Sequence, residues 1–190
     1  MSHRFLLWMV AGANAVVAGM TYALLGWNRA GAHAATRNTA RFAALCFMVA
    51  FAAPALVRFA KRLSSEATLV LAFVAAQGVH FAAVIVLLSV FEREHVAQNR
   101  LQTALVITIG FGLVLTAAVT SQPRIVRWYT AVRTFALYSI FLIFTLGFAF
   151  NQVKPLRIFA VLLLAALIVR LTSRVNRRSP VPAGGNGVVP

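Results

Sequence analysis

Long apolar runs, each close to the length of a membrane-spanning helix, follow one another through almost the whole chain, and the charges fall in short clusters between them. A bilayer core about 30 Å thick needs about 20 apolar residues of helix. Six runs come close: about Phe5–Leu25, Phe42–Phe59, Thr68–Phe91, Thr103–Thr120, Ile125–Phe150 and Pro155–Leu171. In lipid, a backbone can pair its own N–H and C=O groups only as a helix or a closed barrel. Runs of this length select the helix. The expected fold is therefore all-α, a polytopic membrane bundle of about six transmembrane helices, forming one domain over residues 1–178. Only 11% of the 190 residues are charged, while 61% are hydrophobic. Soluble domains carry roughly a quarter charged residues, so this chain lacks the charge to cover a soluble surface.

Punctuation between the runs is consistent with helix ends. Ser64-Ser65-Glu66 reads as a cap that sets an acid at the positive end of the third helix dipole. Ser121-Gln122-Pro123 opens the fifth helix and Pro155 the sixth, both placing Pro where a missing N–H costs nothing. Pro54 lies inside the second run and predicts a kink. Gly26 to Thr39 reads as the longest loop. The tail Ser179–Pro190 holds Pro, Gly and Asn with no acid or base, and is expected to be disordered. The N-terminus, Met1-Ser2-His3-Arg4 before an apolar run, reads as the first permanent helix, since no cleavage site leads into a soluble domain.

The net charge of +15 would suggest nucleic acid in a soluble protein. Here the basic residues sit beside apolar runs, where they anchor helix ends to phospholipid head groups, and nucleic acid is not an expected partner. Arg4, Arg58, Lys61, Arg62, Arg124, Arg127, Arg170, Arg174, Arg177 and Arg178 lie on the N-terminal side, ten residues in all. Arg29, Arg37, Arg41, Arg93, Arg100, Lys154 and Arg157 lie opposite, seven in all. The excess predicts both termini in the cytoplasm. Small residues four apart (Ala11, Ala15 and Gly19; Gly78 and Ala82; Thr108, Gly112 and Thr116) offer close helix approach.

Polar groups at membrane depth are costly and mark candidate sites. His80 lies mid-way along the third run, with Gln77 one turn earlier on the same face. The pair reads either as a ligand or proton-handling group, or as a neutral His bonded to a neighbouring helix. Asn14 reads as interhelical glue. Arg133 either snorkels to the surface or holds an anionic group. His33, Glu92, Glu94 and His95 fall in loops on the opposite side; two His and two carboxylates could bind a divalent metal, but their spacing matches no metal-ligand pattern. Cys46 is the only cysteine, in an apolar run, and reads as a small buried hydrophobe. No phosphate loop, nucleophile elbow or zinc-protease motif is present. Enzymatic activity is left open.

Two phrases resemble the bacterial ferric-reductase-like membrane domains, which include the haem-binding partner of a periplasmic methionine-sulfoxide reductase. That family's third helix carries A-F-x-x-x-H-x-x-H; this chain reads Ala72-Phe73-Val74-Ala75-Ala76-Gln77-Gly78-Val79-His80. The family's fifth helix opens W-x-x-L-H-R; here stand Trp128-Tyr129-Thr130-Ala131-Val132-Arg133, then Tyr138 and Phe141. Thr39-Ala40-Arg41-Phe42 and Phe51-Ala52-Ala53-Pro54-Ala55 also look like a subgroup of the family. The resemblance covers about residues 39–150 and implies six helices and haem b held between imidazoles. His80 then implies an axial iron ligand, with Gln77 beside it and Arg133 as the propionate partner. Gln77 and Val132 stand where the family has His. The departures imply a relative that has lost haem or that holds it at an atypical site, and any electron donor would be a separate partner protein.

Three classes follow: a haem b electron-transfer component, an accessory protein that binds a membrane partner or lipid, and a small transporter. Asn14, Gln77, His80 and Arg133 could line a path for the last. The three carboxylates in the chain and the lack of an inverted repeat weigh against it. The expected location is the bacterial inner membrane, with the lipid bilayer itself as a partner.

Overall fold

The computed structural model describes residues 3–59, 65–122, 129–149 and 157–175. Among these the chain is helical throughout, with no strand. In order the helices are α1 (His3–Leu25), α2 (Arg29–Phe59), α3 (Glu66–Val86), a π-helical turn at Leu87–Phe91, α4 (Arg93–Gln98), α5 (Arg100–Thr120), α6 (Thr130–Ala149) and α7 (Arg157–Val175). Five stretches are long and apolar enough to cross a membrane: Arg4–Leu25, Arg29–Leu56, Glu66–Phe91, Thr103–Thr120 and Thr130–Ala149. The all-α bundle is as expected, and its helices are compatible with an integral membrane protein. The sixth run gives a shorter apolar helix, Ile158–Ser173. The expected helix starts at Pro123 and Pro155 and the tail Ser179–Pro190 lie outside the described residues.

The largest departure from expectation is the segment 29–39. It is the start of α2, which runs 31 residues, or about 46 Å. Only three residues separate it from α1. Gly26 adopts φ +82°, the left-handed conformation that ends many helices, and its N–H bonds the Tyr22 carbonyl at 2.8 Å. Asn28 then caps α2: its Oδ1 accepts from Gly31 N at 2.9 Å. A Cβ on Gly31 would overlap the Gly26 carbonyl, so this turn needs glycine at both positions. The cap before α3 forms as expected, with Thr68 N donating to Ser65 Oγ at 3.3 Å.

α2 is the centre of the bundle. It packs against α1, α3 and α7, while α6 packs against α5 and α7. Its contact surface is alanine: Ala32, Ala35, Ala43, Ala44, Ala50 and Ala53 are fully buried. Between them Phe47 and Phe51 project into an aromatic seam. Phe47 meets Phe73 of α3 with centroids 5.1 Å apart, Phe51 stacks on Phe141 of α6 at 5.2 Å, and Phe148 stacks on Phe159 of α7 at 5.1 Å. Lipid tails are as apolar as these side chains, so close packing and aromatic geometry hold the helices together rather than water exclusion. The small-residue rows of α1 and α3 face largely outward. Ala15, Gly19, Gly78 and Ala82 are exposed, and a Cβ on Gly19, Gly78 or Gly112 would meet nothing within 4 Å. On α1 the inward face is set instead by buried Asn14 and Thr21.

Candidate functional site

Three polar clusters stand out among the described residues, spread along the length of the bundle. The first is neutral and ties α1, α2 and α3 at mid-length. Asn14, fully buried, donates through Nδ2 to the Ala76 carbonyl at 2.7 Å and to the Thr39 carbonyl at 3.5 Å. Thr39, equally buried, places its hydroxyl 3.2 Å from His80 Nδ1. Gln77 is buried beside this layer, and both its Oε1 and Asn14 Oδ1 lack a hydrogen-bond partner. Asn14 is thus the interhelical contact expected of it. His80 is half-buried and turned toward α2.

The second cluster is ionic and joins α3, α6 and α7 near the start of α3. Glu66 lies 3.5 Å from Arg170 Nη2 through Oε1 and 3.7 Å from Arg133 Nη2 through Oε2. Arg170 is almost fully buried. Its Nη1 donates to the Phe51 carbonyl at 2.6 Å, and its guanidinium carbon lies 4.7 Å from the Phe51 ring centroid and 5.8 Å from that of Tyr138. Phe51 lies in the turn of α2 that the Pro54 ring crowds; the carbonyl that Pro54 itself leaves without a helical N–H is that of Ala50. Arg133 sits in the first turn of α6, aimed at Glu66 and mostly buried.

The third cluster closes the end of the bundle beside the α1–α2 turn. Glu92 follows the π turn and accepts from Arg29 Nε at 2.6 Å and Arg29 Nη2 at 2.9 Å. His33 Nε2 lies 2.8 Å from Glu92 Oε1. The hydrogen bonds from Arg29, then that from His33, hold the Glu92 carboxyl below its ordinary pKa. His33 was expected in a loop; it lies on α2, one turn after Arg29, and reaches Glu92 for that reason. Glu94 is exposed, and the His95 side chain lies outside the described residues. Among the described residues no group of three or more His, Cys, Asp or Glu side chains gathers as a metal site.

These positions bear on the haem expectation. His80 and Glu66 are fourteen residues apart on the continuous helix α3, about 21 Å along its axis. Arg133 is held at the Glu66 end and His80 at the Thr39 level. One porphyrin ligated at His80 does not extend far enough to set its propionates on Arg133. His80 meets Thr39 through Nδ1, the contact that would orient a ligating imidazole, while Arg133 Nε and Gln77 Oε1 are buried without a partner. What the separation does not fit is one haem b with His80 as its ligand and Arg133 as its propionate partner.

The sequence singled out Asn14, Gln77, His80 and Arg133 and missed Thr39, Glu66 and Arg170 as their partners. In the sequence Thr39 reads as a loop boundary, Glu66 as part of a cap and Arg170 as flanking charge. The available signal for Arg170 was its position inside an apolar run, which demands a partner. In comparisons with known proteins, no protein-family model matches the chain, and no curated protein or solved structure matches it either.

Proposed function

We propose that the chain is an accessory integral membrane protein, a non-redox relative of the ferric-reductase-like domains, that acts by contact with lipid or with a membrane partner. The observation that supports this reading is the separation of His80 from Arg133, each engaged with a different protein group. Polar groups bonded across helices hold a bundle together, and His80 and Arg133 are bonded in two separate clusters. The proposed setting is the bacterial inner membrane with both termini in the cytoplasm, which rests on the distribution of Lys and Arg. A C-terminal reporter that is active only in the periplasm would overturn that orientation.

A second reading is electron transfer by a haem b bound at His80, favoured by the phrase Ala72-Phe73 to His80. One absorption spectrum separates the two. The protein is expressed with ample haem, solubilised in mild detergent and purified. A colourless preparation with no Soret band is the expected result. A Soret band that His80→Ala abolishes and Arg133→Ala leaves intact would sink the accessory reading and install the redox one.

A further inference from the structure

A hollow of about 210 Å³ opens where the end of α6 meets the first half of α2. Its walls are Ile143, Phe144, Gly147 and Phe148 of α6, and Arg37 and Arg41 of α2 stand on its other side. Arg37 and Arg41 are four residues apart, so they project from one face of the helix. Arg41 is half-buried. Its Nη1 donates to Asn38 Oδ1 at 3.0 Å, while its Nε is buried without a partner. A Cβ added to Gly147 would meet nothing within 4 Å, which leaves that wall open.

The charge balance around this hollow is unmet. The chain has only three carboxylates. Glu66 faces Arg133 and Arg170, and Glu92 faces Arg29 and His33. Glu94 is exposed beside Arg29 and Arg93 on a different hollow. Among the described residues, neither Arg37 nor Arg41 forms an ion pair. Both nevertheless belong to a membrane-length apolar stretch, Arg29–Leu56. Cations in such a place need a counter-charge from somewhere. From Phe42 to Leu56 α2 carries no charge at all, so Arg41 marks the edge of its fully apolar part. An anion held there sits at head-group depth, and the apolar wall of α6 continues inward from it.

We propose that this hollow binds one anionic phospholipid, with its phosphate between Arg37 and Arg41 and the upper part of an acyl chain along Ile143, Phe144 and Gly147. Two guanidiniums supply charge-assisted hydrogen bonds to phosphate oxygens, and the phenyl rings of Phe144 and Phe148 with the sec-butyl side chain of Ile143 take the chain. The inference rests on membrane residence but not on the absence of haem.

The test is native mass spectrometry of the detergent-purified full-length protein with added dioleoyl phosphatidylglycerol or dioleoyl phosphatidylcholine. The expected result is one retained phosphatidylglycerol per protein, preferred over phosphatidylcholine. Each guanidinium should contribute about fivefold to that preference. Arg37→Gln with Arg41→Gln should bring the two lipids level, and Gly147→Leu should weaken both by filling the slot. Arg58→Gln, in the last turn of α2, combined with Lys61→Gln and Arg62→Gln, which follow it in sequence, should leave the preference intact. Equal retention of the two lipids by the wild type would overturn the site. So would loss of the preference in that triple variant alone, or an equal gain in thermal stability from inorganic phosphate without lipid. Should the double variant not fold, the exposed Arg37→Gln and the Gly147→Leu variant carry the same decision. Resistance of the protein to alkaline extraction from washed membranes reads membrane residence separately.

Discussion

The neutral layer at Asn14, Thr39 and His80 and the ionic cluster at Glu66, Arg133 and Arg170 do the same job by opposite means. The neutral layer joins three helices through buried polar atoms and the ionic cluster four, counting the Phe51 carbonyl of α2. The neutral layer leans chiefly on backbone carbonyls that already serve their own helices, so losing its bonds leaves no charge behind. The ionic cluster sets one carboxylate against two guanidiniums, so loss of either partner leaves a charge less well matched at that depth. The difference teaches that an interhelical contact should be judged by what its removal leaves behind, not by its length. Asn14 makes a 2.7 Å bond, shorter than either contact of Glu66, yet its loss strands less.

That contrast can be broken most directly at Arg170. Arg170→Met should cost about 3–5 kcal/mol, because it strips Glu66 of one cation and uncovers the Phe51 carbonyl beside Pro54. Unfolding of the purified protein in mixed micelles measures it, and a loss below about 1 kcal/mol, the scale of an exposed pair, would show that the cluster is hydrated. A double-mutant cycle sharpens the comparison next. Glu66→Gln combined with Arg170→Met should cost less than the two single changes together, because removing both charges removes the unpaired one. Additive costs would mean that the two residues do not interact. At the neutral layer, Asn14→Leu should cost about 0.6–1.7 kcal/mol, the range measured for interhelical hydrogen bonds in membranes. A loss as large as that of Arg170→Met would erase the distinction between the clusters.

The smallest effect belongs to the third cluster, which is both charged and at a helix end. The Glu92 carboxyl is held below its ordinary value by Arg29 and His33. Its stabilising contribution is therefore complete above the ordinary carboxylate pKa and is lost as pH falls through the depressed one. Thermal stability of the wild type should decline on acidification below about pH 4.5, and Glu92→Gln should flatten that decline. Arg29 is largely exposed, so the change should be modest. A decline that is unchanged in Glu92→Gln would place the acid sensitivity elsewhere.

Most of the architecture was legible in the sequence because apolar length is a local property. The runs that became α1, α3, α5 and α6 needed no knowledge of their neighbours. The first third of α2 was lost because Arg29, His33, Arg37 and Arg41 dilute its hydropathy. Their recurrence every fourth residue was nevertheless a helix signature, and Gly26 and Asn28 flagged its boundary. Buried polar residues were legible one at a time, since Asn14, Gln77 and His80 stand alone in apolar runs. Their pairings were not, because the partners are often backbone atoms. Nothing in the sequence marks the Phe51 carbonyl as the acceptor of Arg170, or the Ala76 carbonyl as the acceptor of Asn14. The small-residue rows misled for a related reason: spacing reveals a face but not the direction in which it points.

The π turn at Leu87–Phe91 has a consequence for how this chain tolerates changes in its length. The Glu92 N–H bonds the Leu87 carbonyl at 3.0 Å, five residues back, so the helix there carries one residue more than an α-helical turn would hold. Each residue of an α-helix turns the chain by about 100°. Deleting one residue from this turn would leave Glu92 four residues after Leu87 and bonded to the same carbonyl, so its carboxylate would keep its heading toward Arg29 and His33. Winding the same residues as a regular α-helix would instead swing Glu92 by about that angle. The π turn therefore works as a slack link, taking up one residue so that a single carboxylate still faces inward.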